Sequence, residues 1–346
     1  MSAVECITVR AGGGYEVAIG RGALPVLGKY VRERGGAYAL VSDSNVAPLH
    51  LDRVRGVIEA AGGTIRSAHV FEAGEGSKNF ATLEDILGSF AEAGLSRSDC
   101  VIALGGGVVG DVTALAAALW MRGVDYVQVP TSLLAAVDSS VGCKCAVDLG
   151  GGKNFAGVFK QPALVVCDFD LLDTLPDAEL SCGMGEVVKY GLGFDRAVFD
   201  EAARGGREAA YSLVARCVDI KRRVVEEDEF DLGERAKLNL GHTAGHAIEK
   251  LSGYKVSHGA AVAMGLHIIT KAFLPDAVPS LDASLAANGL ESRCPFGAQA
   301  LAEAALADKK RSGDAISLVV PMAVGACEVR RVPVGELCAI FGRGVS

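Results

Sequence analysis

The sequence lacks the features that mark membrane proteins, secreted proteins and nucleic-acid-binding proteins. It has no apolar run of about 18 residues that could span a bilayer. Its first ten residues have no basic start followed by an apolar stretch, so we expect no signal peptide. It also has no block of lysine or arginine: 34 basic against 42 acidic residues give a net charge of −8. Such a chain is poorly suited to bind nucleic acid or anionic lipid.

The sequence also lacks a cysteine pattern. Its ten cysteines are scattered, and none forms a Cys-x-x-Cys pair. A chain of this length needs no small disulfide framework, and several of the cysteines lie in apolar runs, where cysteine behaves as a small hydrophobic residue. We therefore expect a reducing cytoplasm. Cys143 and Cys145 are interpreted as structural, because their side chains would point to opposite faces of an extended segment.

Apolar residues and glycine are what the sequence has in quantity. Half of the residues are hydrophobic and 22% are charged, as in ordinary soluble globular chains. At roughly 150 residues per domain, a chain of 346 residues predicts about two domains. Glycine accounts for 44 residues, and its clusters are typical of tight turns or of backbone that lies close to a ligand.

The first half of the chain alternates short apolar runs with helix-like segments. The predicted strands are Ala37–Ser42, Thr64–Phe71, Cys100–Leu104, Asp125–Val129 and Leu164–Asp168. The predicted helices among them include Leu51–Ala61 and Thr82–Ala93. This alternation predicts a mostly parallel sheet that is covered by helices on both faces.

The pattern changes after Pro176. Helical periodicity runs through Glu179–Leu192, Arg196–Arg204, Glu208–Glu227, Ala236–Lys250 and Gly259–Phe273. Strand-like runs return only at Ile316–Val320 and Cys327–Val332. We therefore predict two domains, residues 1–176 and 177–346. The fold class is α/β plus all-α: a parallel-sheet domain followed by a mainly helical domain.

A glycine-rich segment follows the predicted strand Cys100–Leu104. Gly105, Gly107 and Gly110 fit the pattern G-x-G-x-x-G before a predicted helix, a context in which backbone N–H groups can hold a pyrophosphate. The usual pattern has an acid downstream to bind a ribose, whereas the candidate here, Asp43, lies upstream. The residues alone leave two interpretations open, a nucleotide site and a structural turn.

Histidines are concentrated in one part of the sequence. His242 and His246 are four residues apart and share a helix face, and His258 precedes the glycine that opens the next helical segment. Two histidines from neighbouring helices and one carboxylate, with Glu186 as our candidate, would form an open divalent-metal site. A structural role for these histidines is the alternative.

Basic side chains suggest a small anionic substrate. Most lysines are solvated surface groups, but several here lie beside glycine and asparagine, a combination that can bind phosphate or carboxylate. The candidates are Lys144, Lys153, Lys189, Lys221, Arg235, Lys309 and Lys310, together with Asn154 and Asn239.

Eight motifs, taken in order, are similar to those of a known family. They are GEGSK (74–78), GGGVVGD (105–111), MRGVDYVQVPTSLLAAVDSSVG (121–142), GKN (152–154), LPDAELSCGMGEVVKYG (175–191), NLGHTAGHAIE (239–249), SHGAAVAMG (257–265) and DKKRSGD (308–314). Over nearly its whole length the chain resembles the 3-dehydroquinate synthases, which are sugar-phosphate cyclases.

The resemblance implies a fold and a set of functional residues. The fold would be dehydroquinate synthase-like, with an NAD-binding Rossmann-like domain over residues 1–176 and a helical metal- and substrate-binding domain over residues 177–346. The metal, zinc or cobalt, would be bound by Glu186, His242 and His258. Contacts to NAD would come from Asp43, Glu75, Gly76, Ser77, Lys78, Gly107, Val108, Val109, Gly110, Asp111, Thr131, Ser132, Lys144, Lys153, Leu171, Leu172, Asp173, Thr174 and Glu179. Contacts to substrate would come from Asp138, Lys144, Asn154, Lys189, Lys221, Arg235, Asn239, His246 and one of Lys309 and Lys310.

The resemblance also implies an activity and an assembly. The reaction would convert 3-deoxy-D-arabino-heptulosonate 7-phosphate to 3-dehydroquinate and phosphate, through transient oxidation by NAD, β-elimination of phosphate, reduction, ring opening and aldol closure. His246 would transfer the proton. Arg122 would reach the phosphate of a neighbouring subunit, so the resemblance predicts a homodimer.

The chain departs from the family pattern at a few positions. Cys143 stands where the family usually has Gly, Cys145 where it has a small residue or Thr, Asp148 where Asn is usual, and Ala260 where Glu is common. None of these changes removes an expected metal ligand or cation.

Three other functions remain open from the sequence. They are a cyclase of the 2-deoxy-scyllo-inosose or valiolone type, a metal-dependent polyol-phosphate dehydrogenase, and a paralogue that binds NAD without turnover. Lys221 and Arg235 match the positions expected to hold a substrate carboxylate, which favours dehydroquinate over the other cyclase products.

Overall fold

The structure, a computed structural model, describes residues 4–150, 152–308 and 314–345. The chain divides into two compact units, Met1–Leu175 with Lys221–Phe230, and Pro176–Ile220 with Asp231–Ser346. The sequence predicted one division, after residue 176, whereas the structure also assigns Lys221–Phe230 to the first unit. None of the described helices combines the length and the apolar character needed to cross a membrane.

Contacts within the first unit explain the place of this returning segment. The Lys221 ammonium donates to the main-chain carbonyl oxygen of Asp138 at 2.6 Å. A carboxylate oxygen of Glu226 accepts a hydrogen bond from the Arg10 amide at 2.7 Å. These bonds join the segment to parts of the chain more than eighty residues earlier, which a local pattern cannot predict.

The first unit is an α/β unit. Its strands are β1 (Glu5–Val9), β2 (Tyr15–Gly20), β3 (Ala37–Asp43), β4 (Thr64–Phe71), β5 (Cys100–Gly105), β6 (Asp125–Pro130), β7 (Lys144–Leu149), β8 (Gly152–Phe159) and β9 (Leu164–Asp168). Its helices are α1 (Leu24–Arg34), α2 (Ala47–Ala60), α3 (Phe80–Glu92), α4 (Gly107–Leu119) and α5 (Phe169–Leu172). The predicted strands of this half are all present.

Seven of these strands form one sheet in the order β1-β2-β9-β6-β5-β3-β4. All pairs are parallel except β1 with β2. Alternate residues of β3 enter opposite cores: Tyr38 and Leu40 pack on one face, and Ala39 and Val41 pack on the other. Burial of the sheet on both faces explains why its central strands β3, β5 and β9 are continuous, fully buried and mostly apolar runs. The predicted fold class is confirmed.

The order of the strands identifies where a ligand can bind in this unit. From β3 the chain continues to β4 on one side, and β5 then pairs with the other side of β3. Open α/β sheets bind ligands outside the carboxyl ends of the strands at such a reversal. Asp43 ends β3 and Gly105 ends β5, so the predicted nucleotide residues flank this position.

The second unit is mainly helical. Its helices are α6 (Asp177–Gly193), α7 (Arg196–Ala202), α8 (Gly206–Glu227, whose end belongs to the first unit), α9 (His242–Leu251), α10 (His258–Phe273), α11 (Val278–Ala287), α12 (Ala298–Asp308) and α13 (Leu337–Val345). Its strands β10 (Ala315–Ala323) and β11 (Ala326–Pro333) form an antiparallel pair.

One helix prediction in this unit was wrong. The sequence predicted a continuous helix over Ala236–Lys250, but the structure has a 3₁₀ turn at Glu234–Asn239 and then α9. Gly241 separates them with φ 79°, in the left-handed region. A Cβ there would lie 3.0 Å from the Leu266 amide nitrogen, so glycine serves both the turn and the close helix contact.

Glycines allow α6, α9 and α10 to pack with their backbones close together. A Cβ on Gly185 would lie 2.4 Å from the Gly259 carbonyl oxygen, and one on Gly259 would lie 1.8 Å from the Cys182 carbonyl oxygen. At the crossing of α9 and α10, a Cβ on Gly265 would lie 2.1 Å from the Gly241 carbonyl oxygen. The separation of these three helices therefore depends on the absence of side chains.

We predict that Gly259→Ala destabilises the second unit. The new methyl group would collide with backbone of α6, and overpacking of this kind costs about 1–3 kcal/mol. We expect a fall of at least roughly 2 °C in the thermal midpoint. The control is Gly88→Ala in α3, an exposed glycine where a Cβ meets no atom within 4 Å; it should be neutral or stabilising. Equal midpoints for the two variants would contradict the close packing.

Candidate active site

The centre of the site in the second unit is the carboxylate of Glu186. It lies in α6, where every residue from Cys182 to Gly193 is buried, and its side chain has no exposed surface. A carboxylate removed from water must be matched by cations or hydrogen-bond donors. The surroundings of Glu186 therefore define the site.

Three side chains converge on this carboxylate. Glu186 Oε1 lies 3.0 Å from His258 Nε2 and 3.4 Å from His242 Nε2. The three donor atoms all lie within 4.8 Å of one another. The Lys189 ammonium contacts Glu186 Oε2 from the next turn of α6. The structure thus brings together the three residues that were predicted as metal ligands.

The contacts of His242 determine which ring nitrogen can bind a cation. Its Nδ1 lies 3.2 Å from the Leu240 carbonyl oxygen. Since a carbonyl oxygen only accepts, Nδ1 carries the proton in this contact, and the lone pair of the neutral ring is on Nε2. That nitrogen faces Glu186 Oε1, so a cation bound there could contact both atoms.

The surrounding charges keep the carboxylate ionised. Burial alone would raise the pKa of Glu186, but the Lys189 ammonium and the two imidazoles hold that pKa well below its usual range. Burial lowers the pKa of His242 and outweighs the attraction of Glu186. For His258, burial is outweighed by Glu186 and Glu249, which raise its pKa to about 10. A cation that binds His258 Nε2 would therefore release a proton.

These residues fit a small divalent cation. Two imidazole nitrogens and one carboxylate oxygen form a common ligand set of open zinc sites, and imidazole also suits neighbouring transition metals. Each histidine also has a partner at its other ring nitrogen, Leu240 for His242 and Glu249 for His258. Such outer partners are typical of histidines that bind metals.

Other predicted residues of the second unit lie close to these ligands in sequence. The His246 ring centroid is 5.3 Å from that of His242 and 6.2 Å from that of His258. Arg235 is 3% exposed and lies with Asn239 in the 3₁₀ turn before α9. The unit also contains Glu179, in the first turn of α6. Lys309 and Lys310 lie outside the described residues.

The glycine-rich turn of the first unit connects β5 to α4. Gly106 is the N-cap of α4, which begins at Gly107. A Cβ on Gly106 would lie 3.3 Å from Ser132 Oγ, and one on Gly107 would lie 3.3 Å from Ser139 Oγ. Helix α4 therefore begins in a turn crowded by two serines, where its first N–H groups can bind an anion.

Asp43 and Thr174 have structural partners in this unit. Asp43 Oδ1 accepts hydrogen bonds of 2.9 Å from the amides of Asn45 and Val46. Thr174 Oγ1 lies 2.8 Å from Nε2 of the buried His50. Most of the other predicted NAD contacts lie in or just after the 3₁₀ turn Glu75–Ser77, in the first turns of α4, directly after β6, and in α5 with the residues after it. Lys144 lies in β7 and Lys153 in β8.

Two ion pairs join predicted NAD-binding residues to each other. Lys78 Nζ lies 2.5 Å from Asp111 Oδ2, and Lys153 Nζ lies 3.1 Å from Glu75 Oε1. Burial alone would lower the pKa of Lys78, but Asp111 raises it, so the ammonium stays charged. Each pair includes one residue of the segment 75–78, which follows the carboxyl end of β4.

Asp138 and Lys221 also form an ion pair, and Asp138 lies in a single π-helical turn, Ala135–Ser139. Such turns are frequent at functional sites. Arg122 is exposed and has φ 69°, next to Met121 with φ 46°. Non-glycine residues rarely adopt such values, which makes this turn a candidate functional feature.

Residues that depart from the family pattern lie in and beside the hairpin β7–β8. Asp148 Oδ1 accepts a hydrogen bond of 2.8 Å from the main-chain N–H of Asn154. Asn154 itself has φ 58°. Cys143 has φ 61°, so this chain places a side chain in a left-handed conformation where the family usually has glycine. Lys144 begins β7 and is exposed.

The sequence reasoning missed Glu249. Its Oε2 lies 3.5 Å from His258 Nδ1, and His246, Glu249 and His258 form a second group whose donor atoms lie within 4.8 Å of one another. The available signal was its position three residues after His246 within NLGHTAGHAIE, on the helix face of the histidines.

Sequence comparison assigns nearly the whole chain to one family. The profile described as 3-dehydroquinate synthase N-terminal matches residues 68–182, and the profile described as 3-dehydroquinate synthase C-terminal matches residues 183–311. The 3-dehydroquinate synthase of Pelobacter propionicus is 41% identical over 357 aligned positions, which cover 98% of this chain and 99% of that protein.

Solved structures of sugar-phosphate cyclases have the same fold. A 2-deoxy-scyllo-inosose synthase complexed with carbaglucose-6-phosphate, NAD⁺ and Co²⁺ aligns with a TM-score of 0.88 and 24% identity, covering 99% of this chain and all of that chain. The 2-epi-5-epi-valiolone synthase from Streptomyces hygroscopicus, with NAD⁺ and Zn²⁺ bound, aligns with a TM-score of 0.85 and 21% identity, covering 99% and 98%.

We predict that His258→Ala abolishes metal retention while the protein remains folded. Loss of a ligand should weaken Zn²⁺ or Co²⁺ binding by more than the roughly 10- to 100-fold expected for loss of an outer partner. The measurement is metal content after dialysis, together with a titration of the metal-depleted protein. His267→Ala is the control, because His267 also lies in α10 but pairs with Asp282 at 2.7 Å. Wild-type metal content in His258→Ala would refute the assignment of this ligand.

Proposed function

The chain belongs to the 3-dehydroquinate synthase family, and on that premise we propose that Glu186, His242 and His258 bind its divalent metal ion. We propose also that NAD binds at the glycine-rich turn after β5. The observation that carries the metal proposal is the convergence of two imidazole nitrogens on one fully buried carboxylate. The Co²⁺ and Zn²⁺ named for the two solved cyclases support it.

The activity follows from the family. The enzyme converts 3-deoxy-D-arabino-heptulosonate 7-phosphate to 3-dehydroquinate and phosphate, a step of the shikimate pathway that leads to aromatic amino acids. The relative at 41% identity carries out this reaction by name, whereas the two solved cyclases with other products are 24% and 21% identical. The latter show the shared fold.

The two cofactors supply chemistry that side chains lack. When bound, a divalent cation lowers the pKa of an alcohol and polarises a ketone, and NAD accepts a hydride and returns it. The chain's own residues must therefore bind the substrate, orient it toward these groups and transfer protons.

Lys189 places a fixed positive charge beside the metal ligands. Its side chain is 1% exposed, its ammonium contacts Glu186, and its Nζ lies 4.6 Å from the centroid of the Tyr190 ring. In a site shielded from water, a preorganised cation attracts negative charge more strongly than it would in bulk water. We propose that Lys189 orients the oxygens of the bound sugar phosphate.

His246 is the proposed proton carrier. It follows the ligand His242 by one turn of α9, and its ring packs beside both histidine ligands. Imidazole is the side chain best suited to accept and return protons near neutral pH. Its position in α9 fixes its backbone one turn from that of His242.

The remaining cations match a substrate with two anionic groups, a phosphate and a carboxylate. Arg235 has a buried guanidinium, which can bind a carboxylate or a phosphate through two parallel hydrogen bonds. Lys221 is 7% exposed and is held by Asp138. Asp138, Lys144, Asn154 and Asn239 are further proposed substrate contacts.

We propose that the enzyme is a homodimer in which Arg122 reaches the phosphate bound by the other subunit. The turn that carries Arg122 supports this proposal. Leu119 and Met121 expose 49% and 44% of their surface beside it, and both Met121 and Arg122 have left-handed backbone conformations. Exposed apolar side chains and a strained turn are typical of a surface that binds a partner.

We propose a cytoplasmic location as well. The ten cysteines all lie among the described residues, where they are present as thiols, and most of them are buried or partly buried. Thiols persist in reducing compartments, whereas secreted proteins more often form disulfides.

Turnover of the sugar phosphate tests the proposed cofactors. Purified protein with catalytic NAD and zinc or cobalt should release one phosphate per substrate, form 3-dehydroquinate and show no net rise in NADH absorbance. EDTA should abolish the reaction, because removal of the metal removes its polarising charge. Accumulation of NADH in proportion to product would instead indicate a dehydrogenase, and full activity in EDTA would contradict the metal proposal.

Mixing two inactive variants tests the role of Arg122 across subunits. Arg122→Ala and His246→Ala should each lose most activity alone. If Arg122 acts on the other subunit, a mixed dimer of the two variants has one site with both residues intact. Refolding the variants at 1:1 should then restore about a quarter of wild-type activity, since half of the dimers are mixed. No recovery, with mixed dimers shown to be present, would mean that Arg122 acts within its own subunit.

A further inference from the structure

Glu249 is a buried carboxylate for which the proposed mechanism has no use. It follows His242 and His246 in α9 at spacings of seven and three residues, so the three side chains lie along one face of the helix. The side chain of Glu249 is 4% exposed. A carboxylate in this position is costly unless it accepts hydrogen bonds from nearby groups.

The ring of His258 lies between two carboxylates. Its Nε2 is 3.0 Å from Glu186 Oε1, and its Nδ1 is 3.5 Å from Glu249 Oε2. His258 is the first residue of α10, where the helix begins after Ser257, and its side chain is 31% exposed. A partly exposed ring at a helix end needs a second contact to fix its rotation about χ2.

We propose that Glu249 is a positioning residue that orients His258 by accepting a hydrogen bond from Nδ1. The proposal rests on the metal site of the proposed function. With Nδ1 protonated and facing Glu249, the neutral ring has its lone pair on Nε2, directed toward Glu186. A negatively charged partner also makes the imidazole a more basic ligand.

The two histidines of the site are therefore supported differently. His242 Nδ1 is held by the main-chain carbonyl of Leu240, which no substitution of a side chain removes. His258 depends on a side chain from another helix. Removal of Glu249 should thus affect the metal through His258 and leave the support of His242 in place.

A second metal ion bound by His246, Glu249 and His258 is the alternative arrangement. Their donor atoms lie within 4.8 Å of one another, but His258 belongs to both groups. A neutral imidazole has a proton on one nitrogen and a lone pair for a metal on the other. Ions at both nitrogens would therefore require the imidazolate anion, which has a proton on neither. The burial and geometry of Glu249 therefore favour the role of hydrogen-bond acceptor over that of ligand.

The test measures Co²⁺ binding to the metal-depleted, full-length protein. Glu249→Ala should weaken Co²⁺ binding about 10- to 100-fold, as loss of an outer partner does, and should change the visible absorption bands of bound Co²⁺. Glu249→Gln keeps an amide oxygen that can accept from Nδ1, so it should recover most of the wild-type spectrum with a smaller loss of affinity. Binding of NAD should be the same in all variants.

Asp282→Asn is the matched control. It removes the charge from another carboxylate that contacts a histidine of α10, since Asp282 Oδ1 lies 2.7 Å from His267 Nδ1. It should leave both the affinity and the spectrum unchanged. Its thermal midpoint, measured with those of the Glu249 variants, shows whether an effect on metal binding is separate from an effect on stability.

Two outcomes would overturn the proposal. Unchanged affinity and spectrum in Glu249→Ala, while His258→Ala still loses the metal, would leave the metal site intact and remove the role of Glu249. Two Co²⁺ ions per chain in the wild type, with one lost in Glu249→Ala, would make Glu249 a ligand. Retention of metal by His258→Ala would instead refute the proposed metal site itself.

Discussion

The burial of the Glu186 carboxylate is the constraint on which the second unit depends. A charge without solvent must be matched by neighbours, and here Lys189 supplies an ammonium from the same helix while His242 and His258 supply imidazoles from α9 and α10. These helices approach closely only because glycines lie where they cross. The glycines therefore set the separation of the helices that bring these ionisable side chains together.

The parallel sheet was predictable because burial on both faces leaves a strong signal. The runs that became the central strands β3, β5 and β9 are apolar and alternate with helices, whereas the edge strand β4 alternates exposed and partly buried residues. The hairpin β7–β8 was missed because most of β8 is exposed or partly exposed and glycine interrupts it. The break at Gly241 was missed because glycine within a helical pattern is often tolerated, and only the contact with Leu266 shows that it is needed here.

The ligands of the candidate site were accessible to sequence reasoning because spacing determines which side chains share a helix face. His242 and His246 are one turn apart, and Glu186 lies in the mostly apolar stretch Cys182–Gly193 of its helix. Spacing could not identify Glu249, because the residue that it faces belongs to the next helix and their contact depends on how α9 and α10 cross. Nor could it show that Asp148 closes the hairpin by binding the amide of Asn154.

The return of Lys221–Phe230 to the first unit has a consequence for the modularity of the gene. A fragment that ended at Leu175 would lose the ammonium that Lys221 brings to Asp138 and the carboxylate that Glu226 brings to the Arg10 amide. A single recombination point after residue 176 therefore transfers neither unit intact. Exchange of one unit between related enzymes would need three crossovers, after residues 175, 220 and 230, so in evolution and in engineering the two units are harder to separate than a single boundary suggests.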